Sequence, residues 1–138
     1  MGYFADAEEV DRYIGGIFRL AFAHPRVSPR LAGAASTLRI VVEDPTCELT
    51  LSLYDAPRVI FGPNRLHPDV TLELSGDQID RYCRGDYDLL DALAAGEVVA
   101  TGRLSRVLKV LPHMSQLFPV YRAMVAPKPL TGPRRVRQ

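Results

Sequence analysis

The sequence has few of the residues that usually carry chemistry, and none of them is grouped. It holds two cysteines and three histidines. Cys47 and Cys83 lack CxxC spacing, which argues against a zinc ribbon or a redox motif. Cys47 sits in a strand-like pattern and Cys83 in a helical one. Packing as small hydrophobes is therefore the expected role of both, as free thiols in a reducing compartment. His24, His67 and His113 are far apart and each lies beside a proline, which predicts loop or cap positions instead of a metal site. No GxxxxGK[ST] loop, no GxGxxG after a strand and no GxSxG elbow is present. No cofactor, no metal and no catalytic residue is expected. No apolar run approaches the roughly 20 residues of a membrane span. The first eleven residues carry acidic side chains and no basic segment, so a cytoplasmic protein is expected. Lysine is also scarce, with 2 against 15 arginines, a bias that fits a GC-rich bacterial genome. Arg84-Gly85-Asp86 spells an adhesion tripeptide but reads more simply as a link between two helices.

What is present suffices for one domain. A chain of 138 residues, 47% apolar and 24% charged, buries about two-thirds of its unfolded surface and folds without a staple. The net charge of +1 hides an asymmetry: all 16 acidic residues precede position 126, and Lys128, Arg134, Arg135 and Arg137 follow it. Without those four charges the body stands at −3, which argues against nucleic acid as a partner. Asp77, Asp80, Asp86, Asp88 and Asp91 fall at helix starts and on a wet helix face, where the helix dipole favours acids.

Periodicity places the elements. Asp6 with Glu9 reads as a capping box for a helix over 7–24. Val10, Ile14, Ile17 and Ala21 form its stripe, and Tyr13, Phe18 and Leu20 widen it. Gly15-Gly16 inside this stretch predicts either a close approach by another group or a tolerated loss of propensity. His24-Pro25 ends the helix, and Pro29 to Ala34 reads as a short turn of helix. Four period-two segments follow, around Leu38-Ile40-Val42, Cys47-Leu49-Leu51-Leu53, Val59-Phe61 and Val70-Leu72-Leu74. Short turns separate them, which predicts an antiparallel meander with one buried face. Ser75 caps a helix over 76–84, a second helix runs over 87–95 to Gly96, and a fifth strand is expected over 97–101. Leu104, Leu108, Leu111, Met114, Phe118 and Tyr121 recur at helical steps, broken by Pro112 and Pro119 into two or three short helices. From Ala126 on, prolines alternate with basic residues. This tail, 126–138, is expected to be disordered and separate from a domain over 1–125. These apolar stripes can equally fill a core or line a cavity, and pattern alone leaves that open.

The run from His67 to Ser75, followed by Asp77, resembles the strand-to-helix passage of the sterol carrier protein type 2 family. Gly85, Leu89, Ala92 to Gly96 and Gly102-Arg103-Leu104 resemble the family's continuation. The likeness extends over 7–121, with the first 60 residues matching only in the order of elements. It implies an α+β fold: a five-stranded, mostly antiparallel sheet covered on one face by helices, with a hydrophobic tunnel between them. It implies a lipid-binding domain that carries a fatty acid, acyl-CoA, sterol-like or polyketide-like molecule without catalysis. Such a tunnel would draw its lining from Ile14, Ile17, Phe18, Leu51, Phe61, Leu74, Ile79, Leu90, Leu93, Leu104, Leu108, Leu111, Met114, Phe118 and Tyr121. The chain ends Val136-Arg137-Gln138, not in a peroxisomal tripeptide, and its basic tail can make weak contact with an anionic membrane surface. Two other readings stand beside the carrier. One is a cofactor-free enzyme or accessory acting on an apolar intermediate of bacterial secondary metabolism, with Tyr13, Tyr82, His113 and Tyr121 as polar contacts. The other is a protein-interaction module.

Overall fold

Period-two alternation builds the sheet of this protein, whose computed structural model describes residues 2–54 and 56–128. Most of the expected tail, 129–138, lies outside the described residues. The strands are β1 (Ser36–Glu43), β2 (Cys47–Leu53), β3 (Arg58–Phe61), β4 (Val70–Ser75) and β5 (Val99–Gly102). They form one sheet of five in the order β3-β2-β1-β4-β5. β1–β2, β2–β3 and β4–β5 are antiparallel, whereas β1 and β4 are parallel, with Ile40 beside Leu72 and Val42 beside Leu74.

The parallel pair corrects the expected meander. The link 62–69 does not turn back beside β3. It crosses the sheet and delivers β4 to the far side of β1. Polar bonds hold it there: Arg39 Nη2 donates to Asn64 Oδ1 at 3.2 Å and to the Leu66 carbonyl at 2.8 Å, and Asn64 Nδ2 donates to Thr50 Oγ1 at 2.9 Å. Arg39 and Thr50 point to one face of the sheet, opposite Leu38, Ile40, Leu49 and Leu51. The crossover therefore covers the polar face and leaves the apolar face to the helices. At the far edge, a Cβ on Gly102, at φ +96°, would lie 2.1 Å from the Asp69 carbonyl, so only glycine allows β5 to close against the start of β4.

Helices cover the apolar face. α1 (Ala7–Val10), a π-helical turn over Asp11–Gly15 and α2 (Gly16–Ala23) run on as one rod. α3 (Ser28–Ala32), α4 (Gly76–Arg84), α5 (Leu89–Ala95), α6 (Leu104–Leu108), α7 (Leu111–Met114), a 3₁₀ turn over Ser115–Leu117 and α8 (Phe118–Val125) follow. The capping chemistry is local. Ser75 Oγ accepts from Gln78 N at 3.0 Å while Gln78 Oε1 accepts from Ser75 N at 2.8 Å, a complete capping box on α4. Asp6 accepts from Glu9 N at 2.9 Å, but the Glu9 carboxylate reaches Ala5 N in place of the cap residue's own amide. Pro112 and Pro119 sit in the first turns of α7 and α8, where a missing N–H is tolerated. A Cβ on Gly16 would stand 3.1 Å from Met124 Cε, so α8 comes close there, whereas Gly15 faces Asp11 and Arg19 of its own rod.

Leu38, Ile40, Val42, Leu49, Leu51, Leu53, Val70, Leu72 and Leu74 are all buried beneath these helices. Two polar assemblies lock the helices to one another. The buried Asp80 carboxylate on α4 accepts from Tyr121 Oη at 2.7 Å on α8 and from Arg84 Nε at 2.9 Å. Lys128, just past α8, is buried; its ammonium pairs with Glu9 at 2.9 Å, donates to the Tyr3 carbonyl at 3.0 Å and stands 4.5 Å over the Tyr3 ring. Among the described residues no helix is long and apolar enough to cross a membrane.

Candidate functional site

An apolar cavity lies where the parallel strand pair meets the helices. Leu38 and Ile40 of β1 and Leu72 and Leu74 of β4 form its floor. Phe18 of α2, Ile79 and Tyr82 of α4, Leu89 of α5, Val110, and Leu111 and Met114 of α7 form its walls. Its free volume is ≈ 30 Å³, about a tenth of the smallest pockets that enclose a drug-sized ligand. A groove of ≈ 290 Å³ lies outside it, lined by Tyr82, Tyr87, Asp88, Leu89, Leu90, Leu111, Pro112, Ser115 and Phe118. The two spaces share Tyr82, Leu89 and Leu111. These three side chains stand between a partly enclosed apolar space and an open one. A third depression, ≈ 680 Å³, lies at the α2–α3 corner around Phe22, His24 and Pro29. It is open to solvent and rimmed by the α2–α3 turn, so it has little with which to enclose a ligand.

The expected lining residues divide. Phe18, Leu74, Ile79, Leu111 and Met114 reach the cavity, and Leu90 and Phe118 reach the groove. Ile14, Ile17, Leu51 and Tyr121 are fully buried elsewhere in the core, and Leu93 and Leu104 pack half-buried against it. Phe61 and Leu108 are brought to neither space; they are exposed on the edge strand β3 and on α6. The lining residues not anticipated are Leu38, Ile40, Leu72, Leu89 and Val110; Tyr82 was expected only as a polar contact. The strand members among them were visible as inward-facing positions. What no pattern disclosed is that β1 and β4 are neighbours.

Polar groups around the cavity are few. Burial pushes the Tyr121 hydroxyl well up, and Asp80 takes its hydrogen bond. Tyr13 stacks on Phe4 at 6.4 Å, and His113 lines neither space. Of the four polar contacts considered from sequence, Tyr82 alone lines the cavity. Its ring meets Phe118 edge-on at 5.5 Å, burial pushes its hydroxyl well up, and that hydroxyl is buried without a hydrogen-bond partner. Cys83 is buried with its thiol pushed far up, and Cys47 is pushed up to about 11, burial being the leading cause for each. Both are protonated thiols at neutral pH, not nucleophiles. His24 acts as a turn cap, its Nδ1 accepting from Arg26 N at 3.1 Å. Among the described residues no three His, Cys, Asp or Glu side chains converge on a point that could hold a metal.

The fold recurs in known structures. Sterol carrier protein 2 from Yarrowia lipolytica, in its apo form, superposes with a TM-score of 0.65 over 83% of this chain and 96% of its own, at 15% identity. The fold is that of sterol carrier protein 2. The sterol carrier protein domain 2 of Helicoverpa armigera matches with a TM-score of 0.64 at 13% identity, covering 80% of this chain and 89% of that one. Palmitated SCP2L2 of Aedes aegypti matches with a TM-score of 0.52 at 16% identity, over 76% of this chain and 89% of that one. No family model and no curated protein matches the chain, so the sterol carrier protein 2 likeness is one of architecture. Its five-stranded mixed sheet with helices on one face is the α+β arrangement expected from sequence.

Proposed function

We propose that the protein binds one apolar small molecule, a fatty acid, acyl-CoA or other lipid-like chain, between the β1–β4 floor and α7, without catalysing a reaction on it. The observation that carries this reading is the partly enclosed cavity, whose lining is apolar apart from one hydroxyl and continues across Leu111 into an open groove. No acid–base pair and no activated nucleophile faces it, which favours binding over chemistry. An enclosed space also favours a small molecule over a partner helix. The palmitated Aedes aegypti structure supports a lipid as the class of ligand.

The cavity must widen to take a chain, and α7 is the wall suited to move. It is a single turn begun by a proline, held at its start by His113 N and Met114 N reaching the Val110 carbonyl at 3.0 and 3.3 Å. Tyr121, tied to Asp80, fixes the far end, so the moving part is Leu111 to Phe118. Met114, unbranched and adaptable, can refill the space around different ligands. Burying about 15 methylenes releases about 12 kcal/mol gross. Opening, ordering and association take part of that and leave affinities of micromolar order, about −8 kcal/mol. Titration with a fluorescent long-chain probe should saturate near one per chain, and absence of binding up to the probe's solubility would refute the reading. Hydrogen exchange tests the moving wall. Without ligand, Leu111 to Phe118 should exchange faster than Leu49 to Leu53, and ligand should slow it.

A further inference from the structure

Among the described residues, the Tyr82 hydroxyl is the buried side-chain group left without a hydrogen-bond partner. Such groups are rare in folded proteins and call for an explanation. The chain is able to satisfy a buried tyrosine: Tyr121 donates to Asp80 at 2.7 Å. Nor is Tyr82 loosely placed. It stands on α4, which carries a complete capping box. It belongs to the partition between cavity and groove, and the other ten cavity-lining side chains are apolar.

We infer that the Tyr82 hydroxyl is the anchoring donor for a single uncharged oxygen of the ligand, so that the site prefers an apolar chain carrying an ester, ketone or alcohol over one ending in a carboxylate. This rests on the proposed ligand site. The charge around the site supports it. No cation lines either space. The nearest arginines in sequence already have partners: Arg81 lies over the Tyr87 ring at the groove at 5.1 Å, Arg84 pairs with Asp80 at 2.9 Å, and Arg122 donates to the Arg84 carbonyl. A carboxylate inside would be a buried charge with one neutral donor, which falls well short of replacing its hydration. A carboxylate left in the groove would share it with Asp88. A neutral acceptor meets neither obstacle and supplies the partner that Tyr82 lacks.

The test is competition against a bound apolar dye, using chains of equal length that end as an alkane, a methyl ester, an alcohol or a carboxylate at pH 8, on the wild type and on Tyr82→Phe. The wild type should bind the ester and the alcohol at least about tenfold tighter than the carboxylate. Tyr82→Phe should lose about five- to tenfold for the ester and alcohol and leave the alkane unchanged. Without ligand, Tyr82→Phe should melt no lower than the wild type, because it removes only an unsatisfied hydroxyl. Preference for the carboxylate, equal ester binding by both proteins, or a lower melting temperature for Tyr82→Phe would each overturn the inference. Failure of every chain, the alkane included, to displace the dye from either protein would overturn the ligand site itself.

Discussion

Leu72→Ala tests where the ligand sits, when measured beside Leu51→Ala. Both leucines are buried on the helix-facing side of the sheet, but Leu72 is on the cavity floor and Leu51 is not among its lining. Truncating a buried leucine costs about 2–5 kcal/mol: a transfer part that is nearly constant, and a cavity part of up to about 2 kcal/mol that depends on how far the site collapses. Both variants should therefore fold, lose about 3 kcal/mol and melt roughly 10 °C lower, at about 3–4 °C per kcal/mol for a chain of this size. Ligand separates them. At Leu72 the new void joins the ≈ 30 Å³ already present, and a chain that fills it recovers the cavity part. Affinity should rise by about tenfold or more. At Leu51 the void is closed off from the ligand and affinity should stay within about twofold of the wild type. Differential scanning fluorimetry gives the stability change, and titration with a fluorescent long-chain probe gives the affinity. If the two variants change affinity alike, or if Leu72→Ala weakens binding while losing the expected stability, the cavity floor is not the ligand surface.

Tyr121→Phe removes a hydrogen bond to a buried carboxylate, and chemical denaturation should show a loss of about 2 kcal/mol. Alkaline pH should act on the same core. Folding raises the pKa values of Cys83 and Tyr121 above their ordinary 9.0 and 10.0, burial being the leading cause. The unfolded chain therefore ionises first, and stability should hold to about pH 8, fall from about pH 9 and steepen above pH 10. Tyr121→Phe should fall less steeply above pH 10 than the wild type, and equal slopes would contradict this. Ala35 adopts φ +45°, a strained region for a side chain, with its carbonyl held by Arg106 Nη1 at 2.7 Å. Ala35→Gly should hold or raise the melting temperature, by up to about 1 kcal/mol in stability. We propose that the basic residues after Lys128 give a salt-sensitive attraction to anionic membranes. Truncation after Lys128, which keeps its ion pair with Glu9, should leave ligand affinity intact and reduce liposome sedimentation at low salt.

The boundaries of the elements were legible because their signals are local. Ser75 and Gln78, Gly85 and Gly96 at positive φ, and Pro25, Pro112 and Pro119 act within a few residues of themselves. Alternation likewise identified the buried face of each strand. It could not say which strand lies beside which. The link from β3 to β4 reads as a hairpin turn in sequence, whereas in the structure bonds of Arg39 and Thr50 with Asn64 and the Leu66 carbonyl, and of Asp69 with Thr37, hold it across β2 and β1. Residue type also fails where two neighbours face opposite ways: Leu89 is buried and Leu90 is 53% exposed, although both are leucines in one short helix. Lys128 shows the same limit at long range. Its charge and its prolines predict a solvated tail, whereas its partners, Tyr3 and Glu9, are at the other end of the chain.

The least legible contact is also the one on which the site depends. β1 and β4 each carry an ordinary strand pattern, and either could have packed its leucines into a filled core. Parallel pairing sets Ile40 beside Leu72 and Val42 beside Leu74 at the centre of the sheet, with no helix of more than one turn placed over them on the α7 side. α4 and α5 have complete caps and glycine stops, so their positions are set locally. α7 has neither: its cap residue, Val110, makes no side-chain bond, and its length is limited by Pro112 and the 3₁₀ turn after it. Locally capped walls on α4 and α5, and one short uncapped turn on α7, surround a cavity of ≈ 30 Å³. The proposed opening through Leu111, past Tyr82, into the groove would leave the Asp80–Tyr121 hydrogen bond in place.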